Sequence, residues 1–453
     1  MLVRQICRRE IGAGEGPLCS AAAFSNVNVA TTSSSSSLDS LALVTRRRAP
    51  PNSFTGGLFA LDLEKQEQRF LLGGSSDGSV AIFDLSATAA TKEGKTQGGL
   101  ALVSSIQKQS SASESTPIHP DGGGDRGGPR RRCSSRSRRF AHRFMVTSCQ
   151  WYPVDSGLFC TASTDGQLIV WDTNRLWPVD AFEFNGGPVS HQHWGSAASG
   201  ALIAVAAASS SHVSLIDLRS GSAAQNLRGH STRVSCVQWS PRDGHHLLSG
   251  GSDGRLLLWD VRSAKGVLCA LSSEATIGRR SLKPDASAGR LAQAHPGLVN
   301  GVRFSDDGLF CFSSGSEGRL LVWDMVRLER RSGAGYEFPE AKGSVPRKLV
   351  YFEVCRSGGG ADDTLLFYPD DVDVRVIRPF APSLPSMSMK GHFSSVNSCV
   401  FRSDFLELYS AANDKQLLTW TLPWLVDKMN SEGETDREAI RKLTQDSWSD
   451  EES

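Results

Sequence analysis

The apolar residues of this 453-residue chain come in short runs broken by turn residues. The clearest case is the stretch 229–262, GHSTRVSCVQWSPRDGHHLLSGGSDGRLLLWDVR. Its pattern predicts a loop carrying His230, a strand carrying Ser249, a tight Ser-Asp-Gly turn carrying Asp253 and a further strand carrying Trp259. Folded together, Asp253 accepts from His230. His230 in turn reaches Ser249 and the indole N–H of Trp259, which satisfies a buried polar chain.

The same residue types return elsewhere at fixed offsets. The sets are His142, Thr161, Asp165 and Trp171; His230, Ser249, Asp253 and Trp259; His295, Ser313, Glu317 and Trp323; and His392, Ser410, Asp414 and Trp420. In all four the hydroxyl precedes the acid by four residues, the acid precedes Trp by six, and the His lies 22 or 23 residues before the acid. Such spacing marks WD repeats, each one four-stranded blade of a β-propeller. Three further repeats are degenerate. Residues 54–85 keep Asp77-Gly78 and have Phe83-Asp84 in place of Trp-Asp, with no leading His. Residues 186–218 end in Ile216-Asp217 but hold the apolar run 201–206, and 336–380 keep only strand-like runs at 348–354 and 372–377. Closing positions at 83, 171, 216, 259, 323, about 377 and 420 count seven blades. The expected fold class is therefore all-β, a seven-bladed WD-repeat β-propeller over 41–425, with disordered N-terminal, inserted and C-terminal segments.

Closure of the ring is predicted as well. After Trp420 the chain meets Pro423 and an acidic tail, so the last blade lacks an outer strand of its own. The short apolar segment 41–45, which stops at Arg46-Arg47-Arg48, is the available supplier and would remove the open edges. Residues 1–40 are Ser/Ala-rich and read as a disordered, weakly helical segment. Residues 86–141 read as a disordered basic insertion, and 426–453 as an acidic tail.

Charge sharpens this division. The net charge of +1 conceals eight arginines and no acid between Arg126 and Arg143, and nine acids against four bases from Asp427 to the end. The remainder is close to neutral, which argues against direct nucleic-acid binding by the ring. The Arg-rich segment fits a nuclear localisation signal or a nucleic-acid contact, beside the bland reading of a solvated insertion. Ten cysteines without a C-x-x-C pair read as small hydrophobes of a reducing compartment. No apolar run reaches the length of a membrane span. The N-terminus lacks a secretory pattern, and its Ser-rich, acid-poor composition leaves an organelle transit peptide as a second reading beside a nuclear or cytosolic one.

Candidate chemistry is sparse. The His/Ser/Asp sets resemble hydrolase triads, but their repetition in four blades marks them as structural. His191-Gln192-His193 and His245-His246 stand in predicted loops without carboxylate or Cys partners at metal-ligand spacing. No catalytic residue, metal or cofactor is expected. The residue of functional interest is Arg262, in the W-D-x-R sequence Trp259-Asp260-Val261-Arg262, with Arg219 at the same offset from Asp217 in the preceding blade. Arginines at neighbouring rims suit bidentate contacts with a protein partner.

Several longer blocks carry a more specific likeness: GGSSDGSVAIFDL (73–85), CQWYPVDSGLFCTASTDGQLIVWDTN (149–174), LRGHSTRVSCVQWSPR (227–242), AHPGLVNGVRFSDDGL (294–309), KGHFSSVNSCVFRSDFLELYS (390–410) and the ending DSWSDEES. Through them the chain resembles the Cockayne syndrome group A family of WD-repeat DNA excision repair factors. The resemblance implies a non-catalytic substrate receptor of a cullin-4 RING ubiquitin ligase, acting in the nucleus in transcription-coupled nucleotide excision repair. It further implies docking on the damaged-DNA-binding adaptor protein through Arg262 and Arg219, with Asp260 holding the first. The implied wider partners are the Cockayne syndrome group B ATPase and the stalled RNA polymerase II machinery. The family's helical N-terminus is matched only over the first residues, and the basic insertion departs from its pattern. A WD-repeat scaffold for a chromatin or RNA-processing complex is the alternative.

Overall fold

A computed structural model describes residues 42–48, 54–90, 96–106, 141–184, 187–195, 202–263, 266–273, 293–338, 349–356 and 364–421. These residues form seven antiparallel sheets, and the fold is a seven-bladed β-propeller. Strands are called a to d from the channel outward. Blade 1 comprises Leu58–Leu63, Phe70–Ser75, Val80–Ala90 and Thr96–Ile106, and blade 2 Val146–Trp151, Leu158–Ser163, Gln167–Asp172 and Trp177–Glu183. Blade 3 comprises Val189–Trp194, Leu202–Ala207, His212–Asp217 and Ser222–Arg228, and blade 4 His246–Gly251 and Leu256–Asp260 between Val234–Trp239 and Val267–Leu271. Blade 5 has Val299–Phe304, Phe310–Gly315 and Arg319–Asp324, with an outer edge split into Glu329–Arg330 and Tyr336–Glu337. Blade 6 has Glu353–Arg356, Thr364–Asp370, Asp373–Ile377 and Met387–Lys390. Blade 7 has Val396–Arg402, Glu407–Ala412 and Leu417–Thr421.

The fourth strand of blade 7 is Ala42–Arg48, paired antiparallel with strand c through Ala42 opposite Thr421 and Leu43 opposite Trp420. The strand runs through Arg46-Arg47-Arg48 rather than stopping before them, and Arg48 lies opposite Leu418 after an irregularity in register. The a strand of blade 7 packs against that of blade 1, which closes the ring.

Apolar runs in these strands are continuous rather than alternating because both faces of each blade are covered. The hydrophobic clusters among the described residues each lie between two neighbouring blades. In blade 4, Leu247, Leu257 and Trp259 pack toward blade 3, while Leu248, Leu256 and Leu258 pack toward blade 5. The core is thus distributed around the ring rather than gathered at one centre.

Three expectations need correction. The segment 86–141 was expected to be structureless, yet Thr96–Ile106 pairs along Val80–Ala90 as the outer strand of blade 1; residues 107–140 lie outside the described set. In blade 6 the expected strand 348–354 begins only at Glu353, because Tyr351 bridges in parallel to Ser398 of blade 7 instead, and the strand Thr364–Asp370 had no counterpart in the expectation. His191 and His193 sit on the a strand of blade 3, not in a loop, and His246 opens strand b of blade 4. The expectations for 1–40 and 426–453 concern residues outside the described set.

Candidate protein-docking rim

One face of the ring carries the d–a loops and the b–c turns, and there the four predicted sets close. In blade 4, Trp259 Nε1 donates to Ser249 Oγ at 2.7 Å, Ser249 meets His230 Nε2 at 2.8 Å, and His230 Nδ1 meets Asp253 at 3.1 Å. The hydroxyl stands between indole and imidazole, so Trp does not bond His directly. Blade 2 repeats this with Trp171–Thr161 at 2.8 Å, Thr161–His142 at 2.7 Å and His142–Asp165 at 3.1 Å. Blade 7 does so with Trp420–Ser410 at 2.7 Å, Ser410–His392 at 2.8 Å and His392–Asp414 at 2.9 Å. A single proton pattern satisfies each chain: indole to hydroxyl, hydroxyl to imidazole, imidazole to carboxylate. Burial alone would raise the carboxyls. The bonds from His230, Ser231 N and Arg255 N outweigh it and hold Asp253 down at about 2, and similar donors lower Asp165 and Asp414.

Blade 5 keeps Trp323–Ser313 at 2.8 Å and Ser313–His295 at 2.7 Å, and His295 meets Glu317. In blades 2, 4 and 7 the residue after His donates its N–H to the acid: Arg143, Ser231 and Phe393. In blade 5 that residue is Pro296, which has no N–H, and Glu317 Oε2 is left buried without a partner. Glutamate thus stands where one of the aspartate's donors is missing. Blade 1, lacking His, keeps its turn acid Asp77 bonded by Thr55 and by Ser79 N and Oγ. Its Phe54 and Phe83 rings, 5.9 Å apart, fill the place of the polar chain.

The channel is lined by the a strands, and one polar side chain on each of blades 1 to 5 bonds the next blade. Asp62 accepts from Trp151 N at 2.7 Å, Gln150 from Trp194 N at 2.6 Å, His193 Nδ1 from Trp239 N at 3.3 Å and Gln238 from Phe304 N at 2.9 Å. Arg303 bridges to Glu353 at 2.6 Å. Each bond joins one blade to the next, from blade 1 through to blade 6. Tyr351 crosses the channel, its hydroxyl donating to Thr147 O at 2.5 Å and its ring stacked on His191 at 5.3 Å. Burial lowers His191 to about 4 and also holds His193 well below the usual histidine range, so both are neutral. Among the described residues no group of His, Cys, Asp or Glu is placed to hold a metal.

The opposite face, formed by the a–b loops and c–d turns, carries the predicted rim residues. Arg262 Nε and Nη2 grip Asp260 Oδ1 and Oδ2, both at 3.1 Å, and the backbone N–H of Arg262 donates to Oδ1 at 3.0 Å. This grip lowers Asp260. One edge of the guanidinium is therefore used within the turn, while the side chain is 58% exposed. In blade 3, Asp217 caps Arg219 N at 2.9 Å. The two arginines occupy the same turn of adjacent blades.

The sequence model described as "WD domain, G-beta repeat" matches residues 134–172, 221–260 and 289–324. These windows hold the hydrogen-bonded sets of blades 2, 4 and 5. The chain is a WD-repeat propeller. This WD-repeat propeller is 26% identical to the WD repeat-containing protein ATCSA-1 of Arabidopsis thaliana, over 87% of the chain and 90% of that protein. It is 26% identical to Radiation-sensitive protein 28 of Saccharomyces cerevisiae over 40% of the chain and 38% of that relative. It is also 32% identical to the ribosome biogenesis protein YTM1 of Coccidioides immitis over 31% of the chain. No helix among the described residues is long and apolar enough to cross a membrane.

Sequence spacing found the four sets and both arginines. It missed the inter-blade connectors, because their residue types vary: Asp, Gln, His, Gln and Arg. Their shared place, the fifth residue of the a strand in blades 1 to 5, is the pattern that identifies them.

Proposed function

We propose that this WD-repeat propeller is a non-catalytic substrate receptor of a cullin-4 RING ubiquitin ligase, acting in the nucleus in transcription-coupled nucleotide excision repair. The observation that carries the reading is Arg262, exposed yet fixed by Asp260 on the face turned away from the tetrads. Arginine held in one geometry loses little entropy when it meets a carboxylate. The near full-length likeness to the Arabidopsis relative supports it, as does the name of the yeast relative, which refers to radiation sensitivity. On this reading the partners are the damaged-DNA-binding adaptor protein, through Arg262, Asp260 and Arg219, and the Cockayne syndrome group B ATPase with stalled RNA polymerase II. The likeness to a ribosome biogenesis protein over part of the ring favours the second reading, a scaffold for a chromatin or RNA-processing complex.

Affinity purification with mass spectrometry decides between them. Recovery of the cullin-4 adaptor, weakened by Arg262→Glu with an unchanged melting temperature, supports the receptor. Recovery of a processing complex without the adaptor rejects it.

A further inference from the structure

Along blades 3 to 5 the side chains that join one blade to the next do so with one end only. His193 Nδ1 accepts from Trp239 N at 3.3 Å and the ring is neutral, so its proton sits on Nε2. Gln238 Oε1 accepts from Phe304 N at 2.9 Å, which leaves both hydrogens of Nε2. Arg303 uses Nη2 on the two oxygens of Glu353, at 2.6 Å each, which leaves Nε and Nη1. Gln150 differs, because its Nε2 turns back to Trp194 O at 3.4 Å. Donors from three consecutive blades therefore remain once the bonds between blades are made. All three side chains wall one cavity of about 90 Å³ in the channel, together with Asp62, Glu353 and Lys65. Lys65, in the a–b loop of blade 1, is exposed and marks the mouth. The two acids oppose these donors only weakly. Glu353 is held through both oxygens by Arg303. Burial raises Asp62 to about 6, so a second anion beside it completes its protonation near neutral pH.

We propose that this cavity is a binding site for a small oxyanion, a carboxylate or phosphate group that enters from the a–b face. His193, Gln238 and Arg303 donate to its oxygens from three neighbouring blades, and Lys65 supplies a positive charge at the mouth. Each side chain is already fixed by the next blade, so little ordering is required on binding. Hydrogen bonds to an ionised acceptor are the stronger kind. The cavity admits a group the size of acetate or phosphate and no bulky one. The ligand is therefore a free ion of that size or the tip of an acidic side chain. The site is separate from the rim arginines and stands whether or not the receptor reading holds.

The test is calorimetric titration of the full chain with inorganic phosphate, acetate and a glutamate capped at both ends, against sodium chloride at equal ionic strength. The parent binds at least one of these probes. Preference for phosphate or acetate identifies a free ion as the ligand, and preference for the capped glutamate identifies a side chain. Gln238→Glu keeps the acceptor for Phe304 N but removes the donor, and it weakens binding about tenfold or more. Lys65→Gln, at an exposed position, weakens it severalfold. Lys390→Gln, exposed on the outer strand of blade 6, leaves it unchanged. Melting temperature is recorded for each variant, and Lys65→Gln decides if Gln238→Glu fails to fold. The site is overturned if the parent binds none of the probes, or if folded Gln238→Glu or Lys65→Gln binds as the parent does. Equal weakening by Lys390→Gln overturns it too, since general charge attraction then accounts for the binding.

Discussion

Ser249 serves two buried groups at once, accepting from Trp259 and meeting His230. Ser249→Ala leaves the Trp259 indole N–H and His230 Nε2 without a partner, and chemical denaturation should show a loss of about 2 kcal/mol or more. The aspartates of these sets supply a pH dependence. Asp253 is held at about 2, below its unfolded value near ~4, so its contribution is present at neutral pH. That contribution fades as pH falls from about 4 toward 2, and the melting temperature should drop over that window. Asp62 has the opposite sign. Burial raises it to about 6, against the bond from Trp151 N, so the folded state favours its protonated form and loses stability as pH rises from about 4 to about 6. Asp62→Asn keeps an acceptor for Trp151 and should raise the melting temperature at pH 8 but not at about pH 3, below both values. Lys415 is a third case. It sits at φ 65 in the b–c turn of blade 7, where blades 1, 2, 4 and 5 have Gly78, Gly166, Gly254 and Gly318 at positive φ. A side chain in that region costs about 1 kcal/mol, and Lys415→Gly should recover roughly that amount.

At the scale of elements, legibility followed the tetrads. Blades 2, 4, 5 and 7 were readable because a polar chain of fixed geometry requires fixed spacing, and the supply of the last outer strand by residues near 42 followed from the missing strand after Trp420. Blade 6 was only partly readable. Without a tetrad nothing anchors its register, and the bridge of Tyr351 to Ser398 of blade 7 delays its first strand. The outer strand Thr96–Ile106 was hidden because a d strand is covered on fewer sides and tolerates Gly, Ser and Gln. Removal of 42–48 strips the edge from blade 7 and should abolish cooperative thermal unfolding. Removal of 107–140 leaves every described strand in place and, because closure entropy changes slowly with loop length, should shift the melting temperature by only a few degrees. A deletion of 86–141, by contrast, takes strand Thr96–Ile106 with it.

At the scale of the molecule, the two faces divide the work. Tetrads and glycine turns lock one face: His295 N donates to Gly254 O at 3.0 Å, so the His of blade 5 rests on the turn of blade 4. The other face leaves Arg262 and Arg219 exposed on capped turns. The rim was legible at these two arginines because each stands at the same offset from the aspartate that caps its turn.

The shared blade also sets a timetable. Ala42–Arg48 leaves the ribosome among the first strands, and its partner Leu417–Thr421 among the last. At ~5–20 residues per second the first must wait on the order of tens of seconds for the second. Throughout that interval the ring is open, and the face of blade 1 that meets blade 7 has nothing to cover it. An apolar face left bare for that long is a site for aggregation, and the length of the wait is set by where this chain begins its sheet.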